Sequence, residues 1–155
     1  MMIETGMAQL AQWLLWPVSL GVLATFAAAL WALGRMLAEA WQRWRRPGWR
    51  ALPVADHIGL DALELAALQQ LEPLRLLARI APLLGLIATM IPLGPALAGV
   101  ASGDGGRTLL GFGNAFSGVV LALAAAAIAL AVHSQRRRWL LAELHAVRQA
   151  RGLAQ

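Results

Sequence analysis

The chain has 155 residues, of which 59% are hydrophobic and 14% charged, with a formal net charge of +5 and no cysteine. Ordinary soluble domains carry about 25% charged residues, so a single large water-soluble core is not the natural reading, and disulfides and thiolate metal sites are excluded. All thirteen basic residues are Arg. Ten of them form two blocks, at Arg35, Arg43, Arg45, Arg46 and Arg50 and at Arg136, Arg137, Arg138, Arg148 and Arg151. Both blocks abut long apolar runs, which favours a membrane surface over nucleic acid as the counterpart of this charge.

The first apolar run, residues 10–34 (LAQWLLWPVSLGVLATFAAALWALG), contains no charge. At about 1.5 Å per residue it spans a hydrocarbon layer of roughly 30 Å. A signal peptide would place positive charge before a shorter run. This N-terminus instead carries Glu4 and no Arg, so a retained transmembrane helix is expected. The segment 35–79 reads as a helical cytoplasmic segment. Arg35–Arg46 continues the first helix, Pro47-Gly48 stops it, and after Pro53 the stretch LDALELAALQQL places Leu60, Leu63, Ala67 and Leu71 on one face. Pro73 suits the first turn of a new helix that would run on through the membrane.

The second run, residues 80–101 (IAPLLGLIATMIPLGPALAGVA), and the third, residues 108–133 (TLLGFGNAFSGVVLALAAAAIALAVH), are separated by SGDGGR at 102–107. Glycines there predict a tight outer turn and an antiparallel helical hairpin. The tail, 134–155, extends the third helix, with Leu140, Leu144 and Val147 sharing a face. The fold class is therefore an all-α integral membrane protein of three transmembrane helices with cytoplasmic helical extensions. Seven Arg in 35–79 and five after Ser134, against one in the hairpin turn and none before the first run, put the N-terminus outside and the C-terminus in the cytoplasm. Trp13, Trp16, Trp31 and Trp139 lie near run ends, as interfacial aromatics do, and Trp41, Trp44 and Trp49 belong to the cytoplasmic edge.

No carboxylate, Lys or Arg interrupts the three runs. Intramembrane charges are costly and usually functional, so any titrating group on an ion path must come from a partner. The polar residues at depth are Thr25, Thr89, Asn114 and Ser117, the last two on one face of the third helix. Hydroxyls and amides in such places either bond back to their own helix or glue helices together, or else they line a path. For Thr25 the first reading holds; for Thr89, Asn114 and Ser117 both stay open. Gly111, Ala115, Gly118, Ala122 and Ala126 form a small-residue stripe suited to close helix packing, within one chain or between chains. Pro92 and Pro95 remove two ladder donors, freeing the carbonyls of Ala88 and Ile91, so the helix should kink or loosen there. His57, His133 and His145 lack metal-ligand spacing, and no nucleophile–base set or phosphate loop is present, so enzymatic catalysis, metal and cofactor are not expected.

The stretch LEPLRLLARIAPLLGLIATMIPLG resembles the segment of the MotA/TolQ/ExbB proton-channel family in which a Leu-rich cytoplasmic helix runs into a sequence like APLLGLLGTV. NAFSGVVLALAAAAIALAV is similar to that family's last helix. The resemblance covers roughly residues 70–135, and the three-helix order extends it to the TolQ/ExbB branch. It implies a homo-oligomeric ring, a pentamer in that family, around a single-helix ExbD/TolR/MotB-like partner whose membrane Asp carries the proton. It further implies that the last two helices line the path with hydroxyls and that proton flow energises transport or envelope work. Thr89 falls at the family's second-helix threonine. Setting NAFSGV against the family's EALIAT pattern places Asn114 at the acidic position and Val119 at the third-helix threonine, leaving Ser117 as the nearest hydroxyl. These departures admit a second expectation, a non-conducting membrane scaffold that holds a single-helix partner. A third is an unrelated small helical bundle.

Overall fold

The computed structural model describes residues 2–45, 59–103, 105–150 and 152, with side chains described for all of these except 2–5, 8, 105, 107–112, 114 and 115. Among the described residues there are three helices: α1 (Met2–Arg45), α2 (Leu60–Ala101) and α3 (Gly105–Ala150), of 44, 42 and 46 residues. All three are long and apolar enough to cross a membrane. At about 1.5 Å per residue each is roughly 65 Å long, about twice the thickness of a hydrocarbon layer. Each therefore has an apolar half and a second half that would project beyond such a layer.

Arg43 meets Glu143 and Glu39 meets Arg136, pairs 100 and 97 residues apart, so α1 and α3 run parallel. α2 lies antiparallel to both: Gly85 faces Ala122, Ala88 lies beside Gly118, and Leu84 lies beside Gly21. The α2–α3 hairpin shares the largest interface, and α1 lies along it.

The turn between α2 and α3 is shorter than the expected 102–107. α2 ends at Ala101, where the amide of Ser102 donates to the carbonyl of Ala98 and that of Gly103 to Val100, both at 3.1 Å. Gly103 has φ +87°, a left-handed conformation that a side chain disfavours, and α3 starts at Gly105. Gly105 and Gly106, expected in the turn, are instead the first residues of α3, so the third helix begins before its apolar run.

One expectation is corrected. Pro73 does not begin a new helix; α2 is continuous from Leu60 to Ala101 with Pro73, Pro82, Pro92 and Pro95 inside it. Losing the bond to the carbonyl of Gln69 costs one rung of the ladder. Leu71 and Leu74, buried on either side of Pro73, hold the helix in line against the bundle. Residues 60–79 are thus the first half of α2 and not a separate element. The expected stop at Pro47-Gly48, the Pro53 region, Trp49 and His57 lie outside the described residues. Among the described residues there is no strand.

Two clusters form the core. In the apolar half, Ala29, Ala81, Ala125 and Ala126 meet, with Phe26, Leu77 and Ile128 against them. In the projecting half, Leu63 and Leu71 of α2 pack on Leu140, Leu144 and Val147 of α3, with Leu60, Ala66 and Ala67 at the margin. The two apolar faces read from the sequence in these extensions are thus each other's partners.

Candidate functional site

α2 and α3 approach closely at Gly85. A Cβ placed there would lie 2.7 Å from the Cβ of Ala122, too near for two carbon atoms. Around it Ala78, Ala81 and Gly85 of α2 are buried, and Ala122, Ala125, Ala126 and Ala129 of α3 face them, also buried. Small residues at spacings of three and four on both helices bring the backbones together. On α3, Ala122 and Ala126 are buried within the chain, and a Cβ placed on Gly118 would lie 3.7 Å from that of Ala88; the side-chain positions of Gly111 and Ala115 are outside the described residues. The complementary stripe on α2 (Ala78, Ala81, Gly85, Ala88) escaped the sequence reading, although its spacing of three, four and three carries the same signal.

This register fixes what stands beside the candidate path residues. With 85 opposite 122 and 88 opposite 118, position 89 is level with 117. Thr89 is half-buried, and its hydroxyl donates to the carbonyl of Leu86 at 2.8 Å, with that of Gly85 at 3.4 Å. Ser117 is exposed at the same level of α3. A hydroxyl that donates back to its helix keeps lone pairs to accept a hydrogen bond. Thr25 donates to the carbonyl of Val22 at 2.8 Å, the back-bonded state expected of it. The side chain of Asn114, one turn further along α3, lies outside the described residues. α2 stays helical through Pro92 and Pro95, which stand between Thr89 and the turn.

A second polar constellation lies at the other end of the apolar half. Glu39 of α1 takes both Nε (3.2 Å) and a terminal nitrogen of Arg136 of α3, a forked pair. One turn further out Arg43 pairs with Glu143, and the Arg43 guanidinium sits 4.8 Å from the centroid of the Trp139 ring. Glu143 is only 9% exposed. Charges this enclosed persist because partner and ring replace the lost water. A third pair, Arg148 with Glu64, joins α3 to α2 and is open to solvent. None of these pairs was anticipated. The available signal was Glu143, which shares the buried face of Leu140, Leu144 and Val147.

Beside this collar, α1 and α2 part to leave a cleft of about 890 Å³, reaching from Ala28 and Leu77 at one end to Glu39, Gln42 and Gln70 at the other. Among the described residues no cluster of His, Asp and Glu could hold a metal ion. Comparison with known protein families, with curated proteins and with solved structures finds no match to this chain.

Proposed function

We propose that this chain is the channel-forming, stator-like subunit of a proton-motive-force-driven complex in a bacterial-type inner membrane, energising transport or envelope work. The reading rests chiefly on the α2–α3 hairpin. Two helices are drawn together by Gly85 and Ala122, and just beyond the contact Thr89 and Ser117 stand level with each other in runs free of any carboxylate or Arg. Such a hairpin offers hydroxyls to a proton but no group to carry it; the resemblance to the MotA/TolQ/ExbB family implies the carrier, a membrane Asp on a single-helix partner. Moving one charge through about 100 mV releases roughly 2.3 kcal/mol, a usable step for a complex that repeats it. Arg placement orients the N-terminus outside and the C-terminus in the cytoplasm. Self-assembly is supported by Leu65, Leu68 and Leu141, large apolar side chains exposed beyond the apolar half, where water would otherwise meet them.

The test is native mass spectrometry of the complex taken gently from its host membrane, followed by proton flux in vesicles. A ring of this chain holding a single-helix protein with a membrane Asp is expected, together with flux that Thr89→Val abolishes while assembly survives. A lone monomer or dimer, or flux untouched by Thr89→Val, contradicts the proposal. A second reading, a non-conducting scaffold for the same partner, draws support from the Thr89 hydroxyl, which donates to its own helix, and from Val119 at the level where a hydroxyl is expected. Under it the native complex is silent and Asn114→Glu opens it to protons.

A further inference from the structure

We infer that the cleft between α1 and α2 is a binding site for one anionic phospholipid of the cytoplasmic leaflet. The inference rests on the chain spanning a bilayer with its Arg-rich end inward, and not on proton conduction.

The cleft changes character along its length. At one end its walls are Ala28, Ala32 and Leu77, within the apolar half; at the other they are polar, with Gln70 and the paired Glu39 and Arg136. Between the two ends stand Trp31 and Arg35. Residue 35 is the first charge after the first apolar run, so the cleft crosses the boundary between hydrocarbon and headgroups. Its α1 wall, from Ala28 to Gln42, is about 20 Å long at about 1.5 Å per residue, the reach of a headgroup and the upper part of an acyl chain.

Charge selects the occupant. The carboxylate in the cleft, Glu39, is already engaged by Arg136. Arg35 instead lies 5.2 Å from the centroid of the Trp31 ring, a contact that leaves its N–H fork available. A guanidinium matches a phosphate through two parallel hydrogen bonds, and an indole at this depth sits where interfacial tryptophans do. The leaflet on this side is the negatively charged one. Apolar walls then a cation, in that order along the membrane normal, is the pattern of a lipid with its chain in the bilayer and its phosphate at the surface.

The test uses the full chain, delipidated in a neutral detergent, with phosphatidylglycerol and phosphatidylcholine added separately and bound lipid counted by native mass spectrometry. The wild type is expected to take up one phosphatidylglycerol in preference to phosphatidylcholine. Arg35→Gln should weaken phosphatidylglycerol binding about tenfold or more, the loss of a charge-assisted hydrogen bond. Ala32→Trp, which fills the apolar wall and keeps Arg35, should lower binding of both lipids. Arg137→Gln, an exposed cation outside the cleft, should change neither. Each variant is compared at wild-type helicity. Undiminished phosphatidylglycerol binding in both Arg35→Gln and Ala32→Trp overturns the proposal, as does an equal loss in Arg137→Gln. Disulfide-linked dimers of Ala32→Cys formed in the membrane also overturn it, by showing a second copy in the cleft. Binding is read without ion flux, so failure here and failure of the channel reading are separately visible.

Discussion

The two halves of the bundle are packed by opposite means. In the projecting half the contact between α2 and α3 is made by large side chains, Leu63, Leu71, Leu140, Leu144 and Val147, tied at its edge by the Arg148–Glu64 pair. In the apolar half it is made by Ala81, Gly85, Ala122 and Ala125, with Ala29 of α1 against them, while Leu20, Leu23, Leu83, Leu86, Met90, Phe116 and Leu123 point outward. Water drives large aliphatic side chains inward; lipid does not, and leaves helix association to close contact between small residues. The switch from one mode to the other along the same helices fits the proposal of a chain half in bilayer and half in water. It also explains how Ala-rich α3 can be both the most apolar span and a well-packed one.

Truncations test this contrast most strongly. Leu63 is fully buried, and Leu63→Ala should lower stability by about 2–5 kcal/mol. Leu86 is 59% exposed in the apolar half, and Leu86→Ala should stay within about 0.5 kcal/mol. Reversible unfolding in mixed micelles, followed by circular dichroism, measures both; equal effects would erase the distinction between the halves. Next in size is Gly85→Val, which forces atoms into Ala122 and should cost about 1–3 kcal/mol, partly restored by Ala122→Gly on the facing helix. A neutral Gly85→Val would mean that the small-residue contact does not hold the hairpin. The charged collar spans a range from a comparable effect to a smaller one. Glu143→Gln leaves Arg43 without its carboxylate in an enclosed place and should cost about 1–3 kcal/mol, whereas Glu64→Gln in the open Arg148 pair should cost under about 1 kcal/mol. The same unfolding assay ranks them, and a larger loss for Glu64→Gln would reverse the assignment of which pair matters.

The helices were legible in the sequence because uninterrupted apolar runs and a Gly-rich break leave few alternatives. The faces of the extensions were legible too, since Leu60, Leu63 and Leu71 and Leu140, Leu144 and Val147 repeat at helical spacing. What periodicity does not carry is which face meets which. The pairing of those two leucine faces, and of the α2 small-residue stripe with that of α3, appears only once the register of the hairpin is fixed by Gly85 and Ala122. Pro73 misled because a proline at N1 and a proline tolerated inside a packed helix look alike in one dimension, and burial of Leu71 and Leu74 decided between them. The collar was hidden for a different reason: Arg and Glu near a helix end read as solvated until α1 is seen to lie parallel to α3, bringing Glu39 to Arg136. Of the candidate path, Thr89 and Ser117 come level, while the side chain of Asn114 lies outside the described residues.

Whether the three helices cross a bilayer is tested most directly by cysteine labelling, which the absence of cysteine from the sequence makes clean. Ser102→Cys in the turn, Leu86→Cys in the apolar half and Ala146→Cys in the projecting half of α3 are each expressed alone and exposed to a membrane-impermeant maleimide from the outer side of intact inner membranes. Labelling of Ser102→Cys alone is expected, with Ala146→Cys reacting only after the membrane is opened and Leu86→Cys on neither side. Labelling of Ala146→Cys from outside with Ser102→Cys protected would invert the topology, and labelling of all three would show that these helices do not cross the membrane.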